Sequence, residues 1–190
     1  MEIPFKQILR DIQLRQLSTF CTLETFKTKE HKDLLPSKHR GLYWLWTNLD
    51  YNELKSIPTK KDTQEVPISK LVSQRENLQH LCNVIEPNGF YIVYNGIGGY
   101  KTKPTFGLRA RINQELNCNH SLTGTLNLLN RHNDGRHDNN WGISFFDFDN
   151  DLNKHILSPL PDKKNHYNNY ASTLEVLWRI EFGTPLLTRH

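Results

Sequence analysis

The sequence contains few cysteines, and they form no recognisable pattern. Its three cysteines, Cys21, Cys82 and Cys118, stand far apart and include no C-x-x-C pair. Zinc sites built on paired cysteines and disulfide frameworks both need closely patterned cysteines, so the spacing argues against both kinds of scaffold. It predicts a protein of a reducing compartment, the cytoplasm.

Long apolar runs are also missing. No stretch approaches the roughly 20 apolar residues that a membrane-spanning helix needs. The N-terminal residues alternate charged and apolar side chains, which is unlike a secretory signal. The chain is therefore not expected to have a membrane partner. Its 190 residues, without an internal repeat or a low-complexity tract, predict a single domain.

The common nucleotide-binding motifs are absent as well. Gly96, Gly98 and Gly99 lack the spacing of a dinucleotide fingerprint, and no Gly-Lys-Ser/Thr closes a P-loop. What this region does contain is an aromatic strand, a glycine-rich exit and a basic helix with Arg109 and Arg111. Glycines and a helix N-terminus both suit a phosphate group, although a strand, a loop and a surface helix with solvated arginines would give the same pattern.

The charge of the chain is modest and unevenly distributed. The net charge is +4 and the pI is about 8.9, which tolerates a polyanionic partner without requiring one. Lysine and arginine crowd residues 55–70 and 101–111, whereas aspartate gathers in residues 134–151. The distribution is therefore more informative than the net charge.

Hydrophobic periodicity predicts an α+β fold. Aromatic and β-branched segments that begin near Gly41, Phe90 and Trp141 predict a small, mainly antiparallel sheet of three strands. Residues 48–65 are polar and lysine-rich, and we expect a loop there. Amphipathic patterns predict flanking helices within residues 2–26, 68–85, 106–118 and 167–182.

Four short features occur in an order that resembles the GIY-YIG nucleases. Gly41-Leu42-Tyr43 resembles the first motif of that family, and Tyr94-Asn95-Gly96 resembles the second. Arg111 on the basic helix is similar to the family's essential arginine, and Glu175 on the last helix to its metal-binding glutamate. Each motif is short, so the order and the element types carry the resemblance.

The resemblance also divides the chain. It covers residues 34–188, which we interpret as the GIY-YIG-like catalytic core of a single domain that spans residues 1–190. Residues 1–33 are then a helical extension, and residues 48–88 are an insertion between the first two motifs.

Three positions depart from the family pattern. Asn95 is the central residue of the second motif, Glu115 stands where the family has a histidine, and the family's closing asparagine is replaced near Thr188. A second assignment of the two tyrosine motifs is also possible. It takes Gly89-Phe90-Tyr91 as the first motif and Tyr100 as the second tyrosine.

The resemblance implies a metal-dependent DNA endonuclease. Glu175 would hold one divalent cation, Mg²⁺, which neutralises the negative charge that develops during phosphodiester hydrolysis. Arg111 would present its planar guanidinium to the phosphate oxygens.

The attacking water needs a separate group. Tyr43 or Tyr94 would position it and, if its pKa of about 10 were lowered, take its proton. A neighbouring ammonium would lower that pKa, and Lys103 is the candidate, with Lys101 as the alternative.

The extra segments around the core favour a stand-alone, sequence-specific enzyme such as a type II restriction endonuclease acting on double-stranded DNA. A palindromic target would favour a homodimer. The alternatives are a repair or mobile-element nuclease of the same family and a catalytically dead DNA-binding module of the same fold. The His/Asn/Asp-rich residues 132–139 also leave open a ββα-type metal site or a solvated loop.

Overall fold

The predicted α+β class is confirmed. The structure is a computed structural model that describes residues 5–27, 35, 38–59, 65–86, 88–99, 107–117, 124–131, 138–160 and 166–188. Within these residues one antiparallel sheet is flanked by eight helices.

The sheet has four strands, and the prediction of three was wrong. The strands are β1 (Cys21–Thr22), β2 (Gly41–Thr47), β3 (Tyr91–Gly98) and β4 (Trp141–Asp147). Their order is β1-β4-β2-β3, and all neighbours are antiparallel. The missed strand β1 has only two residues, which is too short to show a period of two in the sequence.

The helices surround this sheet. They are α1 (Phe5–Leu17), α2 (Leu23–Phe26), α3 (Tyr51–Ser56), α4 (Ile68–Arg75), α5 (Leu108–Asn117), α6 (Leu128–Arg131), α7 (Asp151–Leu157) and α8 (His166–Phe182). The last helix ends at Gly183, whose φ of +93° lies in the left-handed region that glycine adopts without strain.

Two predictions for the insertion were wrong. The expected loop over residues 48–65 contains α3, which a capping box between Asp50 and Glu53 begins. The expected helix over residues 68–85 ends at Arg75, because Leu81 and Ile85 pair instead as isolated β-bridges with Thr184 and Tyr91.

Strand β2 is the centre of the fold, and its two faces belong to separate apolar cores. Tyr43 and Leu45 face a core that includes side chains of α5 and of the insertion. Trp44 and Trp46 face the other core, to which α1, α7 and α8 contribute. All seven residues of β2 are buried, as expected for a strand covered on both sides.

Strand β3 is longer than predicted and forms an edge of the sheet. The glycine-rich exit predicted from residue 96 onwards continues the strand as far as Gly98, which pairs with Gly41. Its register shifts between Tyr94 and Ile92, and the backbone carbonyl of Val93 at this irregularity accepts a hydrogen bond of 2.7 Å from Leu187 N–H. The C-terminal segment is thereby tied to the edge strand.

Among the described helices, none has the length and apolar character that crossing a bilayer requires.

Candidate active site

The elements that carry Tyr43, Tyr94, Arg111 and Glu175 pack together around the edge strand β3. Helix α5 packs on one face of the sheet through Ile112 and Leu116, and α8 packs on the other through Leu174 and Trp178. Residues 84–86 and Leu187 bond to the outer side of β3 as far as Val93, and no further strand pairs with β3 in the described sheet, so side chains from both helices can approach each other beyond Val93. The site is therefore built from four elements, β2, β3, α5 and α8.

The two motif tyrosines share one acceptor. Tyr43 Oη donates to Glu115 Oε1 at 3.0 Å, and Tyr94 Oη donates to the same oxygen at 3.3 Å. The two ring centroids are 6.1 Å apart. Tyr43 is fully buried, whereas Tyr94 is partly exposed, so Tyr94 is the more accessible residue of this pair.

The glycine of the second motif is explained by the first tyrosine. Tyr43 lies opposite Gly96 in the antiparallel pair, and its ring covers that position. A Cβ atom at residue 96 would lie 2.4 Å from Tyr43 Oη and 2.6 Å from its ring carbon Cζ. The two motifs are thus a single packing unit in which a side chain on β2 needs a glycine on β3.

Glu115 is the centre of the buried hydrogen-bond network. Its side chain is 0% exposed, and Arg111 Nη2 lies 3.0 Å from Oε1 across one turn of α5. Its other oxygen, Oε2, accepts a hydrogen bond of 3.0 Å from Leu126 N–H. Burial raises the pKa of Glu115, and Arg111 opposes that shift. Burying a carboxylate is costly, but the four donors Tyr43, Tyr94, Arg111 and Leu126 N–H satisfy its hydrogen-bonding capacity.

Both phenols are held in their protonated form. Burial raises the pKa of Tyr43 well above its ordinary value, and the negative charge of Glu115 adds to the shift. Burial and Glu115 also raise the pKa of Tyr94. The pKa lowering expected from an ammonium group rests on Lys103 or Lys101, and both lie outside the described residues. In the described structure Tyr43 and Tyr94 therefore act as hydrogen-bond donors to Glu115.

Glu175 lies beside this network. Burial raises the pKa of its carboxyl group, while the guanidinium groups of Arg179 and Arg111 lower it, with a raised pKa as the result. Glu175 in turn contributes to raising the pKa of Tyr94. Glu175 comes from the helix on the opposite face of the sheet, and its geometric link to the edge strand is through Arg179.

Arg179 and Asn95 complete the polar cluster. Arg179 Nη2 donates to Glu175 Oε1 at 2.7 Å, and Arg179 Nε donates to Asn95 Oδ1 at 2.9 Å. Thr188 Oγ1 donates to the same Asn95 oxygen at 3.4 Å. Asn95 and Thr188, two of the positions that depart from the family pattern, are therefore in contact with each other.

The donor chemistry at Glu175 fits a hard divalent cation. Mg²⁺ prefers carboxylate and water oxygens and commonly uses only one or two protein carboxylates. Among the described residues no group of three His, Cys, Asp or Glu side chains is arranged to hold a metal, so Glu175 would be a single protein ligand. Arg179 Nη2 contacts Oε1 at 2.7 Å, and the side chain of Glu175 is 15% exposed.

Tyr43, Tyr94 and Arg111 are joined through Glu115, whereas Glu175 is joined to the edge strand through Arg179 and Asn95. The residues that sequence reasoning missed are Glu115, noted only as a departure from a family histidine, and Arg179. A charged residue four positions after Arg111 on the same helix was the available indication for Glu115. Arg179 stands at the same spacing after Glu175.

The alternative motif assignment, with Tyr91 as the first tyrosine, gives no comparable cluster in the described residues. Tyr91 Oη donates to the backbone carbonyl of Leu49 at 2.8 Å, and its ring packs edge-on against Tyr51. Tyr100 and most of the His/Asn/Asp-rich segment, residues 132–137, lie outside the described residues.

Comparison with family models, with curated proteins and with solved structures gives no match to this chain. The GIY-YIG resemblance therefore stays a prediction, based on the motif residues and on the geometry of the site.

Proposed function

We propose that this protein is a metal-dependent endonuclease that hydrolyses phosphodiester bonds in double-stranded DNA, with the sequence specificity of a restriction enzyme. One observation carries the proposal. Two phenols and a guanidinium are joined through Glu115, and the carboxylate of Glu175 is joined through Arg179 to Asn95, the neighbour of Tyr94 on the edge strand β3. That set of groups matches the requirements of phosphodiester hydrolysis.

Arg111 is the proposed phosphate contact. Its side chain is 24% exposed, so part of the guanidinium reaches the surface while Glu115 and Gln114 hold the rest. A guanidinium in a fixed orientation matches two phosphate oxygens and needs no reorganisation when charge develops on them.

Tyr94 and Glu115 are the proposed route for the proton. A water hydrogen-bonded to the partly exposed phenol of Tyr94 would transfer its proton to Oη as it attacks phosphorus, while the phenolic proton passes to Glu115 Oε1. Because burial raises the pKa of Glu115, this carboxylate is a stronger base than an exposed glutamate. Tyr43, which is fully buried, would keep Glu115 oriented.

Glu175 is the proposed metal ligand. A divalent cation bound there would neutralise charge on the phosphate and stabilise the departing oxygen. The side chain of Glu175 is 15% exposed, so it is accessible at the surface of the same cluster. A palindromic target would call for a two-fold dimer.

The surface next to Arg179 offers room for DNA beside the scissile phosphate. A groove of about 600 Å³ is lined by Gln79, His80, Asn83, Arg179 and Thr184, among others. Exposed amide and imidazole groups can hydrogen-bond to base edges, so we assign this groove to sequence recognition.

A non-catalytic DNA-binding module is the second candidate. The observation in its favour is that both carboxylates of the cluster already have arginine partners, Glu115 with Arg111 and Glu175 with Arg179. In a protein that no longer binds a cation, the same arginines would neutralise the two carboxylates and keep the site folded.

Magnesium-dependent cleavage separates the two candidates. Purified protein is incubated with supercoiled plasmids and genomic DNA of varied sequence, with and without Mg²⁺. We expect discrete fragments only with Mg²⁺, none with Glu175→Gln, and normal cutting by the matched variant Glu24→Gln, which alters an exposed glutamate far from the cluster. DNA binding without Mg²⁺-dependent cutting on every substrate would overturn the enzyme and support the module.

A further inference from the structure

Arg179 joins the proposed metal ligand to the sheet. It lies one turn after Glu175 on α8, and the two side chains are each 15% exposed. Its Nη2 contacts Glu175 Oε1 at 2.7 Å, and its Nε contacts Asn95 Oδ1 on β3 at 2.9 Å. One planar guanidinium thus connects a helix to the edge strand.

A helical pair alone would not fix the carboxylate. Exposed acid and base side chains four residues apart attract each other only weakly and keep several rotamers. Here the guanidinium of Arg179 has a second partner, Asn95, which lies on strand β3 and is 2% exposed. The orientation of the guanidinium is therefore set by β3. The orientation of Glu175 follows from that of Arg179.

Asn95 is an unusual residue for its place. It stands within a strand and faces the apolar core that contains Trp44 and Trp178, whose rings are 5.5 Å apart. A buried amide there is costly unless its hydrogen bonds are made. The bonds from Arg179 and Thr188 supply that compensation, whereas an apolar side chain would pack without any.

We propose that Asn95 and Arg179 are positioning residues that hold Glu175 Oε1 and so present Oε2 to the divalent cation. The inference rests on the proposed function and deepens it, since it concerns how this chain orients the same carboxylate. Groups that orient a metal ligand without touching the metal commonly change metal affinity by 10- to 100-fold when they are removed.

Manganese broadening of backbone amide NMR signals tests this without any need for catalysis. Mn²⁺ is titrated into the isotope-labelled full chain, and the concentration that halves the signals of Leu174 and Val176 is measured. The unaltered protein should show selective broadening there, and Glu175→Gln should abolish it. Asn95→Leu and Arg179→Lys should raise the concentration needed by about tenfold.

Two further variants make the test specific. Asn95→Asp keeps an oxygen acceptor for Arg179 and should bind Mn²⁺ at least as tightly as the unaltered protein. Arg10→Lys changes another arginine that pairs with a glutamate of α8, Glu181, and should have no effect. The amide spectrum itself reports whether each variant is folded.

The outcomes distinguish the two levels of proposal. Selective broadening in the unaltered protein that is unchanged in folded Asn95→Leu and Arg179→Lys would overturn the positioning role alone. A protein that shows no selective broadening at Glu175 would overturn the metal site, and the positioning role with it.

Discussion

At the scale of single residues, the two tyrosines have different environments. Tyr43 is fully buried, whereas Tyr94 is partly exposed, and both donate to one oxygen of Glu115. A group that activates water must reach the reacting atoms, which favours the partly exposed Tyr94 over the fully buried Tyr43. Tyr43 contributes packing and orientation.

We expect Tyr94→Phe and Tyr43→Phe to separate these roles. Tyr94→Phe should reduce the rate of cleavage by about 10² to 10⁴, the usual contribution of a general acid or base. Tyr43→Phe should lower the free energy of unfolding by about 1.5 to 3 kcal/mol, because a buried hydrogen bond to a carboxylate is lost. Single-turnover cleavage and urea unfolding measure the two effects. A larger loss of cleavage in Tyr43→Phe would reverse the assignment.

Arg111 gives the second prediction at this scale. Arg111→Lys keeps the positive charge beside Glu115 but loses the planar fork, so folding and DNA affinity should change little while cleavage falls by about 10² to 10³. The control is Arg109→Lys, a neighbouring arginine on α5 outside the cluster. Fluorescence anisotropy with Ca²⁺ in place of Mg²⁺ measures binding, and a parallel loss of affinity and cleavage would show that Arg111 only positions DNA.

At the scale of elements, the site depends on how closely β2 and β3 pair. The sequence could predict that Tyr43 and Tyr94 lie on strands, because their neighbours are aromatic and β-branched. It could not predict that β3 continues through Gly96 and Gly98, because glycine disfavours a strand unless another side chain fills the space. At Gly96 that side chain is Tyr43, whereas Gly98 lies against Leu108 of α5, and neither contact can be seen without the folded structure.

Gly96→Ala tests the packing unit of the two motifs. A new methyl group would lie 2.4 Å from Tyr43 Oη, so the ring must move away from Glu115. Overpacking of this kind costs about 1 to 3 kcal/mol, and the free energy of unfolding measured in urea should fall by that amount together with cleavage. Asn52→Ala, on the exposed side of α3, is the control. Unchanged stability in Gly96→Ala would contradict the close approach.

At the scale of the whole molecule, the site combines groups from both faces of the sheet. Sequence order and element type were enough to place Arg111 and Glu175 on helices, and these helices pack against β3 from opposite faces of the sheet. The partners of Glu115 and Arg179 could not be anticipated, because they depend on where α5 and α8 cross the edge of β3. Asn95 shows the same limit, since its departure from the family pattern has a physical reason only once Arg179 lies beside it.

The burial of Glu115 and Glu175 predicts how stability depends on pH. Both pKa values are raised above the unfolded value of about 4.3, so the native state binds these protons more tightly than the unfolded chain does. Their contribution to stability is fully present below pH 4.3 and is lost as pH rises through the native pKa values. Other carboxylates act in the opposite direction; for Asp149, Arg40 outweighs burial and lowers the pKa.

Glutamine variants isolate this contribution, because glutamine cannot ionise. The free energy of unfolding of Glu115→Gln or Glu175→Gln, minus that of the unaltered protein, should increase as pH rises from about 4 to 7. Each group can contribute a slope of at most about 1.4 kcal/mol per pH unit, and any loss of hydrogen bonds in the variant adds only a constant offset. Urea unfolding across this pH range measures the difference, with Glu24→Gln as the control. A difference that stays constant would mean that neither carboxyl group has a raised pKa in the native state.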